Sequence, residues 1–219
     1  NKDGVVTPLD LLGIGKNYGI LGSTRASSSI LWNGQGAQDW TNLPNAKYAD
    51  TNGDGVIDRK DIQAIQANLG KTSALVPTAH GTGRTFPFKL VPHQTEVDSG
   101  DLVTFDIVVG DDFNPLLDVY GLSFNVRIPP GFLHESSIKV NFDNQSWLGH
   151  LSPLLHFNQR DATGLITAAI SRTLDKGISG KGIIGTVLGV VKDEVQGWFD
   201  DDADHYYQNI LTTGVLLEN

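Results

Sequence analysis

The sequence predicts two unlike domains in one chain: a small α-helical module built on paired acidic loops, followed by an all-β antiparallel sandwich. Three observations predict this. Residues Asp50 to Asp61 read DTNGDGVIDRKD, an alternation of oxygen-bearing side chains around a central glycine. Aligning Asn1 with Asn52 lays a shortened copy of the same segment over the first residues of the chain. From Phe86 onward the pattern changes to short runs of period two separated by turn residues, as expected of strands with one buried face.

The acidic segment has the spacing of a calcium loop. Asp50, Asn52 and Asp54 fall at positions 1, 3 and 5, Gly55 at position 6 and Asp61 at position 12. Ca²⁺ takes several oxygens at once, and alternate residues of a tight loop point theirs at one centre. Gly55 permits the turn that a side chain would block. The Val56 carbonyl would serve at position 7, Asp58 through a water, and Asp61 would close the loop. Glu usually closes such loops, so the shorter Asp61 implies a closer helix or a looser grip. The plainer reading is a solvated Asp/Asn/Gly turn. A helical pattern begins at once, which favours the calcium loop.

The repeat extends past the loop. Asp3 meets Asp54, Gly4 meets Gly55, Val5 meets Val56 and Asp10 meets Asp61; Ile14, Asn17 and Gly19 meet Ile65, Asn68 and Gly70. Matches at both ligand and core positions define an internal repeat. The candidate ligands of the first copy are Asn1, Asp3, the Val5 carbonyl and Asp10. That copy begins at its third position, so the expectation is that the chain belongs to a longer polypeptide.

Composition narrows the function. At 219 residues the chain can bury a real core, and 25 glycines suit a turn-rich β protein. A net charge of −9 argues against nucleic acid as a partner, because phosphate contacts need clustered Lys and Arg. Without Cys there is no disulfide framework and no thiolate metal site. No apolar run reaches the length of a membrane span. Calcium loops of modest affinity point outward, where calcium is plentiful.

Along the chain, Thr7-Pro8 is a good helix start, with Leu9 and Leu12 on an apolar side and Gly13 and Gly15 weakening it. A Ser-rich stretch, 23–29, precedes Trp32 and Trp40. Those rings suit either a small core between the loops or a sugar-stacking surface. After the second loop, Ile62, Ile65 and Leu69 share a helical face and Gly70 caps it. Residues 73–85 have linker composition. Strands follow at Val103–Val109, Gly121–Ile128, Ile138–Phe142, Leu165–Arg172 and Ile183–Val191, the last almost wholly apolar and hence central, with a closing strand at Ile210–Leu217. Short strands at regular spacing indicate an antiparallel sandwich. The expected division is 1–72, a linker at 73–85, and 86–219.

Paired twelve-residue loops, each closing with Asp and running into one helix, resemble a dockerin. In that family the two halves pack in pseudo-twofold symmetry, and the resemblance covers residues 1–72. It implies Ca²⁺ as cofactor and a cohesin-type protein partner. This sequence departs from the common pattern in the long segment between its repeats. It departs also in the pairs that commonly face the partner, which correspond here to Pro8-Leu9 and Arg59-Lys60, so partner specificity does not carry over. The second domain resembles a cohesin, a jelly-roll sandwich, in VDSGDLVTFDI (Val97 to Ile107), GLSFNV at Gly121, GLITAAISR at Gly164 and GKGIIGTV at Gly180. The same segments also fit a generic carbohydrate-binding or adhesin sandwich, because fold does not fix function.

Catalytic signals are weak. GKGIIG at Gly180 matches a dinucleotide fingerprint but precedes an apolar strand rather than a helix. There is no G-x-S-x-G elbow and no H-E-x-x-H pair. The six histidines lack ligand spacing. Asp111-Asp112 stands beside a turn, and the Asp200–Asp204 run is read as a solvated loop or an extra calcium site. The sequence therefore implies a non-catalytic bacterial protein of the cell surface or exterior, used for assembly or adhesion. It would link copies head to tail or pack its two modules within one chain. The second reading is the carbohydrate-binding or anchoring end of a secreted polysaccharide-degrading enzyme, with polysaccharide as partner.

Overall fold

The computed structural model describes residues 4–73, 86, 88–128, 130–173 and 176–193, and the backbone of 212–218. Among the described residues two α-helices, α1 (Leu11–Lys16) and α2 (Arg59–Ala67), belong to the first part, and nine strands form the second. No helix among the described residues is long and apolar enough to cross a membrane.

The repeat seen in the sequence is a repeat in space. Gly4 and Gly55 share φ of 83° and 82°, and Gly19 and Gly70 share 82° and 74°, in the left-handed region that favours glycine. Asn17 and Asn68 each turn a side-chain amide back to the carbonyl four residues earlier, on Gly13 at 2.8 Å and Ala64 at 2.7 Å. The halves clasp each other reciprocally. Val6 N–H donates to Lys71 and Ser73 N–H to Gly4; in the other half Ile57 N–H donates to Ile20 and Gly22 N–H to Gly55. A single 3₁₀ turn, Pro8–Asp10, leads into α1 where the sequence suggests one continuous helix.

The sandwich has one sheet ordered β1 (Phe88–Pro92), β2 (Leu102–Val109), β8 (Gly182–Val190), β4 (Lys139–Phe142). β8 lies between two partners, as its apolar sequence requires. The other sheet is organised on β3 (Leu116–Arg127), which pairs antiparallel with β6 (Leu165–Arg172), β7 (Ile178–Gly180) and β9 (Thr212–Glu218). β5 (Leu154–Arg160) pairs with β6. Between the sheets, Phe105, Ile107, Leu122, Phe124, Ile166, Ile170, Ile184 and Val187 form the main core.

A second core joins the two parts. Leu11 and Ile14 of α1, Ile57, Ile62 and Ile65 of the second repeat, and Trp40 pack together with Leu155 of β5 and Ala169 of β6. Helix α1 and the turn before it lie on β3, β5 and β6. The approach is close because Gly15 and Gly121 carry no side chain there: a Cβ on Gly15 would sit 1.9 Å from the Ser171 hydroxyl. The two domains predicted from the sequence therefore share apolar packing. The Asp200–Asp204 run and Trp198 lie outside the described residues.

Candidate functional site

The second loop winds its carboxylates inward onto its own backbone amides. Asp50 is 1% exposed and accepts from Gly53 N–H at 2.8 Å and Gly55 N–H at 3.2 Å. Asp61 is fully buried and accepts from Thr51, Asn52 and Asp58 N–H at 2.7, 3.1 and 2.8 Å. Asn52 and Asp54 make the two-residue turns natural to Asx side chains, onto Asp54 N–H at 2.8 Å and Val56 N–H at 3.0 Å. Asp58 caps α2 through Lys60 N–H at 2.7 Å. Gly55, at φ 82°, is the turn the sequence assigns to it.

Electrostatics make the loop receptive to a cation. Burial pushes both Asp50 and Asp61 above the ordinary aspartate value, and each also feels a neighbouring loop carboxylate. Burying charge without a counter-charge is costly. The donor set is hard oxygen throughout, four carboxylates, an amide and a carbonyl, with no nitrogen or sulfur donor; this fits calcium. Lys60 stands 3.6 Å from Asp54 and 3.8 Å from Asp58 as an exposed, weak partner. Among the described residues, no three His, Asp or Glu groups converge as a ready metal cluster. The loop's donors lean instead on the backbone amides that hold them. Asp50, Asn52, Asp54, Val56, Asp58 and Asp61 are the residues that would hold the ion, which would supply charge compensation to the loop.

Of the first loop, Asn1 and Asp3 lie outside the described residues. Asp10 accepts from Thr7 N–H at 2.9 Å, the counterpart of Asp61 on Asp58. Val5 forms an isolated bridge with Thr72. The described tryptophans differ in setting: Trp40 is buried in the second core, Trp147 packs against the main core, and Trp32 is 44% exposed. Trp32 lies with Leu31, Ile30 and Tyr48 on an open cavity of about 580 Å³ beside the loop. Asp111 forms a turn, accepting from Phe113 and Asn114 N–H.

Residues 1–70 match the dockerin type I domain. A comparison with curated proteins finds no match. Among solved structures, the sandwich is similar to type II cohesin modules. The second such module of the adaptor ScaA scaffoldin of Acetivibrio cellulolyticus is 8% identical, with 49% of this chain and 70% of that one covered and a TM-score of 0.37. A type II cohesin of Bacteroides cellulosolvens is 14% identical, with 51% and 72% covered and a TM-score of 0.34. Endoglucanase CelQ of Clostridium thermocellum is 12% identical, with 78% of this chain but 31% of that chain covered and a TM-score of 0.30. The dockerin match fixes the nature of the repeats; the sandwich stands on its own strand order.

The docking face of the dockerin-like part is what the sequence conceals. Gly15 reads there as a helix weakener, yet it lets α1 reach the Ser171 strand. No spacing rule connects residue 15 with residue 171.

Proposed function

We propose that this is a non-catalytic, calcium-stabilised assembly protein of the bacterial exterior. The first half of its dockerin-like part is held by its own sandwich, and the second half is presented to a protein partner of the cohesin type. The carrying observation is the split between the two pairs that the dockerin resemblance assigns to partner contact. Pro8 is buried and Leu9 half-buried in the turn that packs on β3, β5 and β6. Arg59 and Lys60 are exposed at the start of α2. Calcium supplies folding free energy by compensating the buried Asp50 and Asp61. With one sandwich face covered by α1, linking copies head to tail through that face requires α1 to leave it.

The test is a calorimetric titration with an isolated cohesin module, in millimolar calcium and in EGTA. Binding is expected in calcium, lost in EGTA, and lost in the double variant Arg59→Glu, Lys60→Glu. Binding that survives charge reversal, or none under any condition, refutes the proposal. Light scattering at high concentration with calcium addresses the copies: a monomer rules out head-to-tail chains, and a calcium-dependent series of oligomers supports them.

A second reading, a carbohydrate-binding region of a secreted enzyme, has one observation in its favour: exposed Trp32 on the cavity beside the loop. Quenching of tryptophan fluorescence by cello-oligosaccharides, abolished in Trp32→Ala, is its signature.

A further inference from the structure

The segment 24–29, which reads in the sequence as an unremarkable Ser-rich stretch, runs along the outside of the second loop. Arg25 N–H donates to the Gly53 carbonyl at 3.0 Å, the Ser28 hydroxyl to the same carbonyl at 3.1 Å, and Ser29 N–H to the Asn52 carbonyl at 2.7 Å. The Arg25 guanidinium donates through one nitrogen to two carbonyls, those of Lys47 at 3.2 Å and of Asp50. The fit is close: a Cβ on Gly53 would meet the Arg25 side chain at 2.9 Å, and one on Gly55 would meet the Thr24 methyl at 3.0 Å.

The bonding has a regular sense when followed one peptide plane at a time. In the plane joining residues 50 and 51, the carbonyl is held outside by Arg25, and the amide donates inward to Asp61 at 2.7 Å. The plane joining 52 and 53 is held outside by Ser29, and its amide donates to Asp50 at 2.8 Å. The plane joining 53 and 54 is held outside by Arg25 N–H and Ser28, and its amide donates to the Asn52 side chain at 2.8 Å. Three peptide planes are thus gripped on their outer edge by one segment, and on their inner edge each orients a candidate calcium ligand.

We propose that residues 24–29 are a strap that pre-sets the calcium loop, with Arg25 as its positioning residue. The inference rests on the calcium reading above. Partners that orient metal ligands from behind typically change affinity by about 10–100-fold when removed. Arginine suits the task because its planar donors reach two acceptors in fixed geometry. A competing effect has the opposite sign: a positive charge near the site repels the ion, so its removal would tighten binding. The strap reading requires that the lost orientation outweigh the relieved repulsion.

The experiment measures calcium affinity of the whole chain by competition with a chromophoric chelator, for wild type, Asp54→Ala, Arg25→Ala, Arg25→Lys and Ser28→Ala. Near-ultraviolet circular dichroism in saturating calcium reports folding. Arg25→Ala is expected to weaken binding about tenfold or more. Arg25→Lys, which keeps the charge and reaches one carbonyl, recovers part of that loss. Ser28→Ala weakens binding by a smaller factor. Wild-type binding that Asp54→Ala does not reduce overturns the calcium reading of this loop and the strap with it. Binding that Asp54→Ala abolishes but Arg25→Ala leaves equal or tightens overturns the strap alone. Should Arg25→Ala fail to fold, Ser28→Ala decides, and unchanged affinity there refutes the strap.

Discussion

Replacing Gly13 and Gly15 separately by Ala places two identical substitutions two residues apart on α1 with opposite expected signs. A Cβ at Gly13 meets nothing within 4 Å. Gly13→Ala should therefore yield the helix-propensity gain, up to about 1 kcal/mol. At Gly15 the new atom would lie 1.9 Å from the Ser171 hydroxyl oxygen and 3.0 Å from the Arg172 carbonyl. Ordinary contact begins at 3.4 Å, so something must move by about 1.5 Å. Ser171 is fully buried on β6 and cannot swing away to solvent. Overpacking of this kind costs about 1–3 kcal/mol, and the upper end applies where backbone is also contacted. After the same propensity gain is subtracted, Gly15→Ala should lose about 2 kcal/mol, a fall in Tm of roughly 4–8 °C for a chain of this size. Differential scanning calorimetry in saturating calcium measures both variants. If Gly15→Ala melts at or above wild type, α1 does not lie on the β6 strand as described and the shared core is refuted.

Calcium withdrawal tests the same core from the other end. Because Ile57 of the second loop and Ala169 of the sandwich belong to one cluster, the proposed calcium binding predicts that EGTA lowers the main transition of the whole chain. Removing calcium held at a hundred times its Kd removes about 2.7 kcal/mol, or roughly 5–11 °C; two transitions with only the earlier one shifted would break the coupling. pH offers a further, smaller probe through His156, an exposed residue of β5 whose ring is partly desolvated and so held below the ordinary histidine value, with the Arg59 charge of α2 adding to a solvent-screened effect. A lowered folded value means the unfolded chain binds the extra proton first. The contribution is therefore intact above about pH 6.5 and lost as pH falls below it. His156→Phe should flatten that acid-side loss in a series of thermal melts, and an unchanged slope would remove His156 from the account.

How much was legible in the sequence depends on whether a residue answers to one neighbour or to two. The turn geometry of the second acidic loop was legible, because its residues answer to local demands, an Asx oxygen turned onto a nearby amide or a glycine at positive φ. Strands β2, β6 and β8 were legible because one buried face writes a period of two in β2, while β6, buried on both faces, and β8, paired on both edges, carry apolar runs. β5 was not read as a strand: Leu154 faces the sandwich core while its neighbour Leu155 faces α1, so burial on both sides removed the alternation that marks a strand. β1 ends at Pro92 and has β2 as its partner in the sheet, and a proline at a strand end on the sheet edge weakens the local signal. The strap was illegible for a different reason. Two of its contacts are made by backbone amides, which every residue carries, and the others by the Ser28 hydroxyl and the Arg25 guanidinium. Serines and a lone arginine in a Ser-rich loop both read as solvated. The positions where sequence reasoning fails, Gly15, Leu155 and Arg25, are each set by contact with a segment distant in the chain. They are also the positions where one substitution would separate the second loop, the helix and the sandwich, which is why the decisive variants cluster there rather than among the acidic residues that announce themselves.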